Sequence, residues 1–153
     1  MIFYHFYTNH SNLLTLASKL SKLNILFEWS VAFLAINKEK NEAKALAEKI
    51  TTALSDKKAH DIDVIDMEKV SILSDYFVIC SGTSTTHIKS LADEVDFVLS
   101  KDNIEPLHRE GMSTARWILL DYGSVIVHIF HEEERQYYSL ERLWSDGKIT
   151  RKA

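Results

Sequence analysis

The segment spanning residues 115–144 most constrains the fold of this chain, because it predicts two paired strands that lead directly into a helix. Two apolar runs, residues 116–121 and 125–130, flank a short turn that contains Gly123, which is the pattern of an antiparallel β-hairpin. Three consecutive glutamates follow, and acidic side chains in the first turn of a helix interact favourably with its dipole. Apolar side chains then recur at helical spacing: Tyr137, Leu140 and Trp144. The segment therefore concentrates aromatic residues where two strands meet a helix.

Regular periodic patterns also precede this segment and begin at Asn41. Apolar residues recur every three or four positions within residues 43–54 and 88–99, which predicts two amphipathic helices. Three short runs predict further strands, at residues 62–67, 76–81 and 105–108. Together with the hairpin and the last helix, these elements predict a single α/β domain whose mixed five-stranded sheet is flanked by helices.

The sequence divides into three parts: an N-terminal extension at residues 1–40, the α/β domain at residues 41–146 and a C-terminal tail at residues 147–153. The extension is aromatic at its start and then rich in Leu, Ser and Lys, with a helical spacing of apolar residues between Leu13 and Leu23. Because termini are the usual place for poor order, we expect a loosely attached extension or a start codon placed too far upstream. The alternative is a helix that packs on the domain or on a membrane.

The charge of the chain is uneven and argues against direct binding to nucleic acid. The net charge is −4, yet residues 41–153 carry fourteen basic and twenty acidic side chains. An acidic domain is poorly suited to gripping a phosphate backbone. The composition therefore favours a basic protein as partner over direct, sequence-specific recognition of nucleic acid.

Cysteine usage and hydropathy favour a cytoplasmic protein without a membrane span. The single cysteine, Cys80, excludes an intrachain disulfide framework and a cysteine-rich zinc site, and it fits a reducing compartment. The apolar run at residues 23–36 is only fourteen residues long and contains Glu28, which is too short to cross a bilayer. No basic segment precedes an apolar one at the N-terminus in the way a signal peptide requires.

Three histidines raise the question of a metal site. His108, His128 and His131 offer imidazoles, which are good Zn²⁺ ligands when they converge. In the predicted strand at residues 125–130, however, His128 shares its face with Ile126 and Phe130, whereas His131 would point the other way. We therefore expect a packed or hydrogen-bonded core histidine at position 128, and no metal site, cofactor site or catalytic residue.

The turn at residues 81–84 lies between a strand and a helix, where free N–H groups could hold an anion. Phosphate chemistry would also need carboxylates to hold Mg²⁺ beside that anion. The acids considered for that role, Asp93, Glu94 and Asp96, lie within the predicted helix rather than beside the turn. We therefore interpret the turn as a helix N-cap.

The first strand of the hairpin is apolar on both faces. Trp117, Leu119 and Asp121 share one face, while Ile118, Leu120 and Tyr122 share the other. Either helices cover both faces, which would make Trp117 a core residue, or one face is an exposed patch used for binding. In the second case Trp117 and Tyr138 would anchor a protein interface, because Trp and Tyr are typical hot spots.

Six motifs together resemble the ribosomal silencing factor family, also called Iojap-related proteins. They follow one another in the family's order: DKKAHDIDVIDM at 56–67, SILSDYFVICSGTSTTHIKSLADEV at 71–95, PLHREG at 106–111, ARWILLDYG at 115–123, VIVHIF at 125–130 and YYSLERLW at 137–144. The resemblance covers residues 41–144. The chain departs from the family at Ser124, where an acid is usual, and in its first forty residues, which have no counterpart.

The resemblance implies a nucleotidyltransferase-like fold and a function that is not enzymatic. It implies binding to the large ribosomal subunit through its ribosomal protein fourteen, steric blocking of small-subunit joining, and repression of translation when nutrients are scarce. Homodimers are also implied. The residues that match the family's ribosome-contacting surface are Trp117, Leu119, Asp121 and Tyr138, and Glu141 is a further acid expected to meet the partner's basic side chains. The alternatives are a large-subunit assembly factor and an enzyme related to nucleotidyltransferases.

Overall fold

The computed structural model of the protein describes residues 7–67, 70–71 and 74–152, with side chains described from residue 27 onward. The chain divides into two compact units, Met1–Glu39 and Lys40–Ala153. Helix α1 (Tyr7–Asp56) contributes residues to both units. The expected helical stripe between Leu13 and Leu23 lies within α1, but its side chains lie outside the described residues.

The described residues of the second unit form a six-stranded mixed sheet and four helical segments, the first of which is the end of α1. The further elements are β1 (His60–Asp66), β2 (Tyr76–Gly82), α2 (Thr85–Ser100), β3 (His108–Glu110), β4 (Trp117–Asp121), β5 (Val125–His131), α3 (Glu132–Tyr138), α4 (Leu140–Leu143) and β6 (Lys148–Lys152). The strand order is β3-β4-β5-β2-β1-β6. Strands β2 and β5 pair in parallel, and the other neighbours pair antiparallel. The predicted α/β domain with a mixed, helix-flanked sheet is confirmed.

The prediction of five strands is wrong, because residues assigned to a C-terminal tail form β6. This strand pairs antiparallel with β1, from Ile62 opposite Lys152 to Asp66 opposite Lys148. Its sequence, KITRK, is mostly basic and shows no run of apolar residues. Lysines on an edge strand discourage pairing with a further strand, so a basic composition suits this position. The same composition lacks the hydrophobic periodicity by which a strand is predicted from sequence.

Helices α1 and α2 cover one face of the sheet and build the larger core. The buried side chains of α1 come from Ala43, Ala47, Ile50 and Leu54, and those of α2 from Ile88, Leu91, Ala92, Val95 and Leu99. They pack against Ile118, Leu120, Val127 and Ile129 from the hairpin. The periodic stripes seen in the sequence therefore mark the core of this face correctly.

The opposite face of the sheet has a smaller core and is covered by shorter helices. Five buried residues form this core: Ile65, Met67, Phe77, Ile79 and Phe130. Its cover is the pair of short helices α3 and α4, which bury no residue completely. Leu140 and Trp144 are half-buried against the core. Because seven- and four-residue helices cannot span a six-stranded sheet, the described residues leave part of this face uncovered.

Within the described ranges, none of the helices combines the length and the apolar character that crossing a membrane would require.

Candidate protein-binding face

The uncovered part of the sheet lies on β4 and β5 beside α3. Trp117, Leu119 and Asp121 alternate along β4, and Ile126 lies opposite Asp121 on β5. All four are half-buried, whereas their neighbours on the other sheet face, Ile118 and Leu120, are completely buried. Tyr138 from α3 borders them. These residues (Trp117, Leu119, Asp121, Ile126 and Tyr138) are referred to as the open face.

Trp117 forms the centre of an aromatic cluster. Its ring stacks on that of Phe130 with 4.8 Å between the ring centroids. The ring of Tyr138, on α3, lies 4.9 Å from that of Trp117. Register places Trp117 directly opposite Phe130 in the hairpin. Trp117 is therefore partly core and partly surface, which combines the two interpretations that the sequence left open. Tyr138 is 49% exposed and rests on this packed base.

His128 packs against the aromatic cluster as a hydrogen-bonded core histidine. The indole N–H of Trp117 donates to Nδ1 of His128 over 3.3 Å, so the neutral imidazole carries its proton on Nε2. His128 is only 6% exposed, and this burial lowers the pKa of the imidazole to about 4. The ring is thus neutral at physiological pH, and the predicted core role is confirmed.

Asp121 lies at the end of β4 and has a structural bond of its own. Its Oδ1 accepts a hydrogen bond from the backbone N–H of Gly123 over 2.8 Å. Gly123 has a φ of 78°, a conformation that glycine adopts without steric cost. One carboxylate oxygen therefore stabilises the hairpin turn, and the charge lies at the edge of the open face.

Two further apolar residues, on α3 and α4, are exposed and were missed from the sequence. Tyr137 is 83% exposed and Leu143 is 69% exposed. The sequence placed Tyr137 on one helical stripe with Leu140 and Trp144. The helix instead breaks at Ser139, whose φ of 44° is left-handed, and the break changes the phase of the stripe. Nothing in the apolar spacing signals that break.

Glu141 does not point freely toward a partner. Its Oε1 accepts a 2.7 Å hydrogen bond from Nε of Arg135, and its side chain is mostly buried. Arg135 also donates to Asp63 over 2.9 Å and to the Ser81 hydroxyl over 3.1 Å. Burial raises the pKa of the Asp63 carboxyl, and this effect exceeds the lowering caused by Arg135 and Arg151. This network leaves no signal in the sequence, because Asp63 and Ser81 lie far from Arg135 along the chain.

The structure does not bring the three candidate histidines together. Within the described part of the chain, the group able to offer converging metal ligands is His131, Glu133 and Glu134, whose ligand atoms lie within 4.8 Å of one another. Arg116 already binds both carboxylates, with 2.8 Å between Nη2 and Glu133. The arginine supplies the positive charge that a cation would otherwise provide. The absence of a metal site stays a prediction.

The turn at residues 81–84 serves the packing of α2. The Ser84 side chain accepts a hydrogen bond from the backbone N–H of His87, which is the N-cap expected from the sequence. A Cβ on Gly82 would lie 2.7 Å from the Ile88 side chain, so glycine is needed here for close packing of the strand on the helix.

The carboxylates of α2 do not converge on this turn. Glu94 pairs with Lys57 at 3.1 Å, and Asp96 accepts a 2.6 Å hydrogen bond from the Tyr122 hydroxyl. Two other acids, Asp63 in the middle of β1 and Glu134 in the first turn of α3, were not considered from the sequence, and each is paired with an arginine.

Comparison with known proteins identifies relatives over the second unit. A family model described as "Ribosomal silencing factor during starvation" matches residues 40–153. The chain is 41% identical over 106 residues to "Ribosomal silencing factor RsfS" of Bacillus subtilis, a match that covers 69% of this chain and 90% of that protein. It is 33% identical over 106 residues to the mouse protein "Mitochondrial assembly of ribosomal large subunit protein 1", covering 67% of this chain and 46% of that protein.

Solved structures show the same fold. A crystal structure of a protein from Chromobacterium violaceum matches with a TM-score of 0.65 and 30% sequence identity, over 67% of this chain and 85% of that one. A crystal structure from Bacillus halodurans matches with a TM-score of 0.61 and 40% identity, over 66% of this chain and 94% of that one.

Proposed function

This chain belongs to the ribosomal silencing factor family, and we propose that it binds the large ribosomal subunit in the cytoplasm. The contact is to the large-subunit ribosomal protein fourteen, on the face that meets the small subunit. Bound protein blocks subunit joining sterically and represses translation when nutrients are scarce. The names of its relatives, which refer to ribosomal silencing and to assembly of the large subunit, support a ribosomal partner.

The observation that carries the proposal is the open face. It is a strip of apolar sheet that α3 and α4 leave half-covered, next to an exposed tyrosine that is packed on Trp117. A rigid aromatic side chain loses little conformational freedom on binding, and buried Trp and Tyr dominate the energy of many interfaces. The exposed ring of Tyr137, 5.1 Å from that of Tyr138, enlarges the apolar area available to a partner.

Charge supports a basic partner. The family-matching part of the chain carries more acids than bases, and Asp121 contributes a carboxylate to the open face itself. Complementary charge accelerates encounter and fixes register more than it adds affinity. A basic ribosomal protein meets these conditions better than an RNA backbone does.

We further propose that the chain is not an enzyme. Glu94 and Asp96 point into structural contacts, and Asp63 and Glu134 are bound to arginines, which supports the absence of a catalytic pair of carboxylates. A nucleotidyltransferase-like fold and a homodimer remain proposals drawn from the resemblance. Micromolar, Mg²⁺-dependent binding of a nucleoside triphosphate in a calorimetric titration would favour the enzyme alternative.

A role in assembly of the large subunit is the second candidate. The relative named for assembly of the mitochondrial large subunit supports it, and the same open face could serve both roles. Sucrose-gradient sedimentation distinguishes them when purified protein is added to isolated large subunits and small subunits follow. We expect co-sedimentation with the large subunit and fewer joined ribosomes. Co-sedimentation with normal joining would favour assembly, and no co-sedimentation would contradict both roles.

Two substitutions test the open face directly. Trp117→Ala and Tyr138→Ala are each expected to weaken binding to large subunits by about 2 kcal/mol, the usual hot-spot magnitude. Phe97→Ala is the matched control, because Phe97 is an aromatic residue of similar exposure (57%) on α2, which covers the opposite sheet face. Unfolding is measured on the same variants, since Trp117 also packs in the core. A folded Tyr138→Ala protein that binds like the parent would show that this face is wrongly assigned.

A further inference from the structure

Helices α3 and α4 need something besides apolar burial to hold them in place. Neither helix contains a fully buried residue, and together they comprise eleven positions of the chain. Arg135, in the middle of α3, is less exposed than the paired acids Glu134 and Glu141 on these helices, because its side chain is only 12% exposed. An arginine buried to this extent requires partners for its charge and for its five N–H donors.

The guanidinium of Arg135 contacts three other elements. Nε donates to Glu141 on α4 over 2.7 Å, and Nη2 donates to Asp63 on β1 over 2.9 Å. Nη1 donates to the Ser81 hydroxyl at the end of β2 and to the backbone carbonyl of Asp61. The planar fork of arginine can satisfy acceptors in several directions at once, which the single ammonium of lysine cannot do.

The backbone around this side chain adopts two unusual conformations. Asp61 has a φ of 48° and lies where the pairing of β1 with β2 is irregular, and its carbonyl faces Arg135. Ser139, between α3 and α4, has a φ of 44°, and its N–H donates to the Arg135 carbonyl over 2.8 Å. Left-handed conformations are disfavoured for non-glycine residues, so both depend on the contacts that surround them.

Because of the break at Ser139, the residues before and after it pack on different parts of the sheet face. Tyr138 precedes the break and packs on Trp117 at the open face. Leu140 and Trp144 follow it and pack on the smaller core, with Trp144 in an edge-to-face contact 5.8 Å from Phe77. Arg135 spans the break, because its carbonyl binds Ser139 and its guanidinium binds Glu141.

We infer that Arg135 is a positioning residue, which clamps α3 and α4 to β1 and to the end of β2 and thereby holds Tyr138 in place on the open face. The residue acts through Tyr138 and does not itself contact the partner. This inference rests on the proposed function for its binding consequence, although the clamp itself is independent of any partner.

A double-mutant cycle tests the coupling. Arg135→Lys keeps the charge and removes the fork, and we expect it to weaken binding to large subunits by about tenfold, within the range known for coupled residues. In the Tyr138→Ala background the same substitution is expected to weaken binding by less than about twofold. Arg109→Lys is the matched control, because Arg109 pairs with Asp96 and Glu105, away from α3 and α4. Equal losses in both backgrounds would overturn the inference, since Arg135 would then contact the partner independently of Tyr138.

A second measurement needs no ribosome. Hydrogen exchange followed by mass spectrometry is expected to show faster exchange across residues 136–144 in Arg135→Lys than in the parent, with exchange in β2 and β5 unchanged. Unchanged exchange at residues 136–144 would overturn the inference. If the parent itself does not bind large subunits, the proposed function fails, and the exchange result alone decides whether Arg135 is the clamp.

A milder variant covers the case in which Arg135→Lys does not fold. Ser81→Ala removes one acceptor of Nη1 and leaves Asp63, Glu141 and the arginine intact. It is expected to give a smaller loss of binding, about threefold, with the same dependence on Tyr138. A loss that persists undiminished in the Tyr138→Ala background would again contradict the inference.

Discussion

Acidification is expected to destabilise this protein through His128. The imidazole is buried, and its pKa in the folded chain is about 4, whereas an unfolded chain has a histidine pKa of about 6.5. Because the folded pKa is lower, the unfolded state binds more protons between these two values, and stability falls as the pH falls. The contribution is complete above about pH 6.5 and is lost progressively toward pH 4.

The expected magnitude follows from the two pKa values. A lowering of about 2.5 pKa units corresponds to a total of about 3 kcal/mol. Between pH 7 and pH 5 the loss amounts to about 2 kcal/mol. Protonation also converts Nδ1 of His128 from an acceptor into a donor, so the hydrogen bond from the Trp117 indole breaks. The base on which Tyr138 rests therefore weakens in the same pH range.

The assay is urea unfolding at a series of pH values for the parent and for His128→Phe, which keeps an aromatic ring and does not titrate. Subtracting the two curves removes the contribution of other groups, such as Asp63 and Glu134. We expect the free energy of unfolding of the parent to fall by about 2 kcal/mol more than that of the variant from pH 7 to pH 5. Parallel curves would refute the reasoning, because His128 would then titrate alike in both states.

Three further substitutions or truncations give separate predictions. Asp121→Asn removes the charge but keeps an acceptor for the Gly123 N–H. It is expected to slow association with large subunits and to reduce the salt dependence of the association rate in stopped-flow measurements. The melting temperature is expected to stay near that of the parent. Deletion of residues 1–39 is expected to leave the melting temperature and ribosome binding intact, since the second compact unit begins at Lys40; a large drop would show that the extension stabilises the fold. Gly82→Ala is expected to destabilise the protein by about 1–3 kcal/mol in urea unfolding, because its Cβ would crowd Ile88, and an unchanged midpoint would contradict that packing argument.

Most of the fold could be predicted because most elements bury a periodic set of apolar residues. The hairpin was located to within a residue or so, and α2 shows the complete stripe that its burial requires. The strand predicted at residues 105–108 is β3, His108–Glu110, and all three of its residues are exposed. Strand β3 is exposed throughout, and β6 offers the core only the half-buried Ile149, so these two elements leave no periodic signal and were misplaced or missed.

The candidate site was harder to predict, because its geometry depends on contacts between distant residues. Trp117 and Tyr138 could be chosen from residue type and strand face. The ion pair of Arg135 with Asp63 joins residues far apart in the sequence, and no spacing rule reports it. Its consequence for Glu141 is that a residue predicted as a partner contact is engaged within the protein.

The unequal cover of the two sheet faces explains why the hairpin sequence was ambiguous. Ile118 and Leu120 lie under α1 and α2 and are completely buried, whereas Trp117 and Leu119, one position away, are half-buried. Strand alternation places apolar residues on both faces but does not say which face a helix covers. The break at Ser139 determines which part of this face the helices cover. It ends α3 beside Trp117, and the residues that follow place Trp144 against Phe77. The apolar strip beyond α3 stays half-buried, and this incomplete burial is the physical basis on which we propose a partner for it.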